Sequence, residues 1–357
     1  MNALNLNLEN HQNKQTKKHT EKTLVLPIEL KAQFPLSQIA SEQVATQRQT
    51  IQNILEGIDP RLMVITGPCS IHDPIAALEY AEKLIQLQNK VEDQIFLVMR
   101  AYIEKPRTTI GWKGFLYDPN LDGSSDMQLG LEQSRDLYIK IIEMGLPIAS
   151  EILSPIATAY FDDVLAWGAV GARTSESQIH REISSHMPYS VGFKNGTDGS
   201  IQIAMDAIES ASHSHHFLGM GQSGLPCVLE SEGNPCAHLI LRGSNTGTNF
   251  EYAEIQKIQA QYSDELPALV IDCSHGNSNK NPLNQISVLK RIIEERAQSQ
   301  VRGVMLETFL VDGNQKISDQ MTYGQSITDG CLGWDKMELL LLDAATALRL
   351  QTFEQSA

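Results

Sequence analysis

No stretch of this sequence approaches 18 consecutive apolar residues, so it offers no candidate membrane span. Positive charge is short: 28 Lys and Arg stand against 43 Asp and Glu, a formal net charge of −15. A surface of that sign favours neither nucleic acid nor anionic lipid, since both need a basic footprint. Any phosphate bound here must be held by a local cluster of cations working against the global field. Cysteine is scarce as well. Cys69, Cys227, Cys236, Cys273 and Cys331 are odd in number and irregular in spacing, which argues against a disulfide framework and for a reducing cytoplasm. The opening MNALNLNLENHQNKQTKKHTEK has neither the apolar core nor the cleavage pattern of a secretory signal, and a cytoplasmic location is the expectation. No Gly-x-Gly-x-x-Gly follows the first strand-like run, so a dinucleotide-binding fold loses its main support.

What remains is an ordinary globular composition, 41% apolar and 20% charged over 357 residues. Residues 1–22, rich in Asn, Gln, Lys and Thr, are expected to form a mobile arm. Residues 23–60 are expected to form an ordered N-terminal extension. It contains an apolar run, Leu24–Leu26, and a helix from an N-cap at Ser41 to Glu56, with Gly57 closing it. From residue 61 short apolar runs alternate with longer amphipathic segments. The runs are Leu62–Thr66, Ile95–Met99, Pro147–Ser150, Ala169–Ala172, Ser190–Phe193, Ala237–Leu241, Ala268–Ile271 and Arg302–Leu306. They lack the polar alternation of a one-sided sheet and read as strands buried on both faces. Helices are predicted at 74–90, 130–145, 155–167, 177–186, 200–212, 250–262, 282–298 and 334–350. Eight strand–helix pairs in strict order predict an α/β (β/α)8 TIM barrel over residues 61–357. Residues 216–232 break the rhythm and read as an inserted β-hairpin.

In such a barrel the chemistry sits at the C-terminal ends of the strands. Arg100, Lys105, Arg107, Arg173, Lys194 and Arg242 stand there or just beyond. Any one alone reads equally well as a solvated rim charge, but six at the same end of consecutive strands read as a site for two anionic groups. Arg in particular offers a planar fork for phosphate or carboxylate. Cys69, His275, Glu307 and Asp329 lie at the same end and form a mixed S, N and O donor set that suits a borderline transition ion. Their wide spacing leaves a structural reading open for each, a buried small thiol for Cys69 and a hydrogen-bonded imidazole for His275. His213, His215 and His216 follow a helix away from the strand ends and read as surface or capping residues. Cys227, Cys236 and Cys331 read as packing residues, and Trp112, Trp167 and Trp334 as core or interface residues.

The strand-end segments resemble those of the microbial class I 3-deoxy-D-arabino-heptulosonate 7-phosphate (DAHP) synthases. The matching stretches are GPCSIHDP at 67–74, EKPRTTIGWKG at 104–114, GARTSESQIHRE at 171–182, VGFKNGTDGS at 191–200, HLILRG at 238–243, DCSHGNSNK at 272–280 and SITDGCLGW at 326–334. The resemblance implies a barrel with an N-terminal extension and an added hairpin. It also implies condensation of phosphoenolpyruvate with erythrose 4-phosphate, the first step of the shikimate pathway to aromatic amino acids. It places one divalent ion, Mn2+ ahead of Fe2+, Co2+ or Zn2+, on Cys69, His275, Glu307 and Asp329. It places phosphoenolpyruvate on Arg100, Lys105, Arg173, Lys194 and Arg242, with Glu151 nearby, and the aldose phosphate on Arg107 and Thr108. Cys69, Lys105 and His275 become the catalytic candidates, with the proton relay open between Lys105 and His275.

Family members are inhibited by aromatic amino acids and are dimers or tetramers. The stretch ELKAQFP at 29–35, with Phe217, Gly219 and Gln222 in the hairpin, looks most like the tyrosine-sensitive branch, with phenylalanine next. Thr158 falls in a stretch, Ala157-Thr158-Ala159-Tyr160, that departs from the family's usual Ser/Thr-Pro-Gln-Tyr. Arg242 is followed by Gly243-Ser244 where the family usually has two glycines. Two other readings compete: a related phosphoenolpyruvate aldolase using another aldose, and an inactive barrel that only senses an amino acid.

Overall fold

A computed structural model describes residues 21–262 and 266–356; most of the arm expected at 1–22 lies outside the described residues. Two helices open the fold, α1 (Pro27–Gln33) and α2 (Gln38–Glu56). The N-cap of α2 is Ser37, whose hydroxyl accepts from Ala40 N at 3.2 Å, and not the predicted Ser41. Both serines precede an apolar-periodic run, and the earlier one wins because Ala40 and Val44 are also buried. Gly57 ends the helix at φ +77°, in the left-handed region that favours glycine.

The barrel strands are β1 (Leu62–Gly67), β2 (Ile95–Arg100), β3 (Ile148–Glu151), β4 (Trp167–Val170) and β5 (Ser190–Lys194). An excursion follows through β6 (His215–Met220) and β7 (Pro226–Ser231). The barrel then resumes with β8 (His238–Leu241), β9 (Leu269–Asp272) and β10 (Val301–Phe309). All eight run parallel in the order β1-β2-β3-β4-β5-β8-β9-β10, and β10 pairs back onto β1 with Glu307 opposite Gly67. The chain therefore folds as a (β/α)8 TIM barrel. The outer helices are α3 (Pro74–Val91), α4 (Met127–Glu143), the single turn α5 (Thr158–Phe161), α6 (Gln178–His186), α7 (Gln202–Ser212), α8 (Tyr252–Tyr262), α9 (Asn284–Ser299) and α10 (Trp334–Ser356). Among the described residues no helix is long and apolar enough to cross a membrane.

Strand alternation divides the core into two layers. Leu62 and Val64 face outward onto the helices, whereas Met63 and Ile65 join Val98, Ala149, Ile240, Val270 and Met305 inside the barrel. Ile51, Ile54 and Leu55 of α2 pack into that inner cluster. Each contributes roughly 1.5–3 kcal/mol by burial, so α2 is a fixed part of the fold. The inserted segment is an antiparallel hairpin, β6 against β7, with Leu218 opposite Val228.

Two differences from the sequence reading have physical causes. The predicted helix over 155–167 shrinks to α5, and β4 begins at Trp167 rather than Ala169. Trp167 pairs with Ala149 across the sheet, and its indole donates to His238 Nε2 at 3.1 Å, so the ring belongs to a buried strand. The segment between β10 and Asp329 is not a plain loop. It carries β11 (Val311–Asn314) paired with β12 (Gln325–Ser326), and β13 (Leu332–Gly333) adds beside β10.

Candidate active site

The strands deliver their charged residues abruptly at one end. Arg100, Glu151 and Lys194 are the last residues of β2, β3 and β5, Arg242 follows β8 directly, and Glu307 lies on β10 level with the end of β1. Loops supply the rest. All twelve residues assigned above to substrates or metal line a single cavity of about 630 Å³.

One side of the cavity is a pole of metal-binding atoms. Ligand atoms of Cys69, Glu307 and Asp329 all lie within 4.8 Å of one another. Lys105 reaches between them, its Nζ donating to Cys69 Sγ at 2.9 Å and Asp329 Oδ2 at 2.8 Å. Burial works against the Lys105 charge, but Cys69, Glu307 and Asp329 outweigh it and hold the ammonium protonated well above its ordinary range. Burial, with Glu307 beside it, pushes the Cys69 thiol up to about 11. Burial also acts to raise the Asp329 carboxyl, yet Lys105 holds it well below the usual range. His275 stands a little apart. Its Nε2 is 3.9 Å from Glu307 Oε1, and its backbone sits at φ +55°, a conformation that side chains rarely adopt outside functional or turn positions.

The rest of the lining is mainly cationic. Arg100 is almost fully buried, and its guanidinium donates to Pro68 O (3.1 Å), Cys69 O (3.0 Å) and Glu307 Oε1 (3.0 Å) while lying 3.6 Å from the centroid of the Tyr102 ring. Lys194 Nζ donates to Asp272 Oδ2 at 2.7 Å. Arg173 donates to Thr108 Oγ1 at 3.0 Å, joining the two groups of anion-binding candidates. The Arg107 guanidinium lies against Gly111, where a Cβ would come within 2.5 Å of Nε, so the glycine makes room for it.

Asp272, the last residue of β9, has no role in the sequence reading, and the structure gives it one. It is fully buried and contacts both Lys194 and His275, whose Nδ1 is 2.9 Å from Oδ2. Burial acts to raise its pKa, but His275 and Lys194 hold it well below the usual carboxylate range. Glu104 is a second buried acid that sequence patterning missed. It accepts from Tyr117 Oη at 3.1 Å and from Ser154 N at 3.3 Å, and burial raises it to about 7. The folded state therefore holds an extra proton between the ordinary value of 4.5 and about 7; that stabilisation is complete below the window and is lost as pH rises through it. Glu104→Gln is expected to gain on the unaltered protein by up to about 3 kcal/mol between about pH 5 and pH 8. Thermal unfolding at both pH values checks this, and a constant gap between the two proteins would contradict it.

The remaining candidates fall elsewhere. His213 Nδ1 and His215 Nε2 bond to Glu209 O and Ser210 O, both at 2.7 Å, so they cap the end of α7. Gln222, in the hairpin turn, accepts from Lys31 Nζ of α1 at 2.7 Å and donates to Asp162 Oδ2 beside α5 at 2.9 Å. Phe217 is buried edge-on against His186 of α6, Gly219 lies against Leu229, and Thr158 Oγ1 donates to Pro155 O.

With this arrangement in view, the likeness to known proteins can be read site by site. The model of the DAHP synthetase I family matches residues 34–342. The chain belongs to the DAHP synthetase I family. The Tyr-sensitive phospho-2-dehydro-3-deoxyheptonate aldolase of Escherichia coli is 44% identical over 328 residues, covering 90% of this chain and 92% of its own. The Trp-sensitive enzyme of Enterobacter agglomerans is 47% identical over 336 residues, covering 92% and 96%. Among solved structures, the phospho-2-dehydro-3-deoxyheptonate aldolase of Francisella tularensis superposes with a TM-score of 0.90 at 45% identity, covering 92% of this chain and 98% of that one.

For a DAHP synthetase the donor set is a sound test of metal fit. A thiol, two carboxylates and an adjacent imidazole suit a borderline divalent ion. That pole already attracts a cation, the Lys105 ammonium, onto two of its ligand atoms. Cys69, Glu307 and Asp329 could therefore hold a metal, with His275 close enough to join by a side-chain shift.

Proposed function

We propose that this chain condenses phosphoenolpyruvate with D-erythrose 4-phosphate and water, giving 3-deoxy-D-arabino-heptulosonate 7-phosphate and phosphate. The observation that carries the reading is the single cavity in which six cations face a thiol–carboxylate pole. Arg100, Arg173, Lys194 and Arg242 hold the carboxylate and phosphate of phosphoenolpyruvate, and Arg107 with Thr108 holds the aldose phosphate. The bond between Arg173 and Thr108 sets the two substrates side by side, which removes much of the entropic barrier to their reaction. One divalent ion, Mn2+ in our reading, on Cys69, His275, Glu307 and Asp329 supplies Lewis-acid polarisation of the aldehyde.

C3 of phosphoenolpyruvate then forms the new bond to the aldehyde carbon, leaving cationic character at C2. Water adds at C2, and phosphate leaves with its bridging oxygen as the ketone forms. Lys105 is the better proton donor to the former aldehyde oxygen. Its Nζ lies at the thiol–carboxylate pole, 2.9 Å from Cys69 Sγ and 2.8 Å from Asp329 Oδ2, whereas His275 is tied through Nδ1 to Asp272.

Isotopic tracing tests this directly. Phosphoenolpyruvate labelled with 18O at the bridging position, incubated with a panel of aldoses and Mn2+, is expected to yield labelled phosphate with erythrose 4-phosphate as the preferred partner. A preference for arabinose 5-phosphate would move the chain to the related aldolases, and no turnover with folded protein would favour the sensing barrel.

Feedback by an aromatic amino acid, tyrosine before phenylalanine, belongs to the same reading. The Lys31–Gln222–Asp162 network supports it by tying α1, the hairpin turn and α5 together. The similar enzymes include both Tyr-sensitive and Trp-sensitive forms, so an inhibition series with all three amino acids decides. A cytoplasmic homodimer or homotetramer is supported by the outer face of the hairpin, where Leu218 and Val228 pair across the strands at 81% and 68% exposure. Light scattering showing a monomer at working concentration would overturn that assembly.

A further inference from the structure

Lys194 and His275 face different parts of the cavity, yet one carboxylate oxygen serves both. Asp272 Oδ2 lies 2.7 Å from Lys194 Nζ and 2.9 Å from His275 Nδ1. Its other oxygen accepts from Ser274 N at 3.0 Å and from Ser274 Oγ. The Ser274 hydroxyl thus donates its hydrogen bond to Asp272, and its oxygen, 2.9 Å from His275 Nδ1, is left as an acceptor. Both neighbours of Nδ1 are acceptors, so Nδ1 carries the ring proton and the Nε2 lone pair faces the Glu307 side.

Lys194 gives one of its three N–H groups to Asp272 and a second, weakly, to Met305 Sδ at 3.9 Å, which leaves the third for the cavity it lines. Asp272 is held in turn by its own backbone, since Asn277 Nδ2 donates to Asp272 O at 2.9 Å and to Leu241 O at 3.1 Å. It is fully buried.

We propose that Asp272 is a positioning residue that ties the phosphoenolpyruvate-binding lysine to the metal-facing histidine, aiming both from one buried carboxylate. The substrate half rests on the function proposed above; the histidine half does not. An amide at this position offers one acceptor where the carboxylate offers two, so Lys194, His275 and Ser274 cannot all be satisfied.

The test uses the full-length enzyme and Mn2+ alone, with free Mn2+ read by electron paramagnetic resonance. Asp272→Asn is expected to weaken Mn2+ binding by roughly 10- to 100-fold. In a His275→Ala background the same substitution is expected to change Mn2+ affinity by less than about twofold, since the route through the imidazole is gone. Equal weakening in both backgrounds, or none in either, overturns the proposal. In turnover the KM for phosphoenolpyruvate is expected to rise by about tenfold. A fall in kcat with no change in KM contradicts the lysine half.

A measurement on the unaltered protein guards against a variant that does not fold. Nitrogen-15 histidine spectra, with His275 assigned by its loss in His275→Ala, are expected to show the Nδ1–H tautomer. The Nε2–H tautomer overturns the proposal. Mn2+ affinity and tautomer are read without substrate, so they stand even if the chain uses a different aldehyde, and fail even if turnover is normal.

Discussion

Cys69→Ala is expected to lower kcat by about a thousandfold, on the order of 4 kcal/mol of lost transition-state stabilisation, with little change in the KM for phosphoenolpyruvate. The thiol lies in the pole formed with Glu307 and Asp329, and it is one of the two atoms onto which Lys105 donates. Removing it withdraws a proposed metal ligand and releases the proposed proton donor from half its hold. The Arg and Lys residues on the far side keep their own partners, so anion binding is retained. Calorimetry should show weaker Mn2+ binding in the same variant. Because burial and the neighbouring Glu307 push the thiol up to about 11, metal binding must displace a proton, and proton release on loading Mn2+ is expected to be absent from the alanine variant. Full activity of Cys69→Ala in metal-depleted buffer would remove Cys69 from the chemistry.

Arg100→Met is expected to cost both stability and function. Arg100 and Glu307 form an ion pair in which both side chains are only 3% exposed. Losing one partner of a buried pair leaves the other charge uncompensated, which typically costs about 3–5 kcal/mol. Two more groups, the carbonyls of Pro68 and Cys69, lose their donor as well. The loop bearing Cys69 is therefore held by the same guanidinium that lines the cavity. Arg100→Lys should rescue little, because a single ammonium cannot reproduce the planar set of bonds. The checks are unfolding midpoints in denaturant and kcat/KM for phosphoenolpyruvate, with a fall of more than about a hundredfold expected in the latter. Unchanged unfolding in Arg100→Met would show that Glu307 finds another partner or a proton.

The barrel was legible because its strands are buried on both faces and end abruptly in charge. Runs such as Leu62–Gly67 and Ser190–Lys194 are buried along their whole length, and neither carries a charge before its cavity end. The same reading put the six cations and all four metal candidates at one end of the barrel, and all ten line one cavity. What failed was local. The stretch from Thr158 to Trp167 has a helical pattern, but Trp167 pairs in the sheet, and only tertiary packing decides that. Ser37 and Ser41 are equally good caps by sequence, and burial of the turn between them selects the first. Asp272 could be seen at its strand end, but nothing in DCSHGN says that one carboxylate oxygen meets both a lysine and a histidine. The offset of His275 from the other three metal candidates depends on a left-handed backbone that no residue type there announces. The effector residues were the least legible, since Thr158 turns its hydroxyl onto Pro155 O while Gln222 answers to Lys31 and Asp162.

The most direct test of the central claim is loss of phosphoenolpyruvate, followed by its ultraviolet absorbance, on EDTA-treated protein with erythrose 4-phosphate before and after addition of Mn2+. Consumption that begins only when aldehyde and metal are both present is the expected result, and it would establish the condensation together with its dependence on a divalent ion. Consumption at the same rate without metal would keep the condensation and remove the metal role assigned to Cys69, His275, Glu307 and Asp329, and folded protein that consumes none under either condition would contradict the proposed function itself.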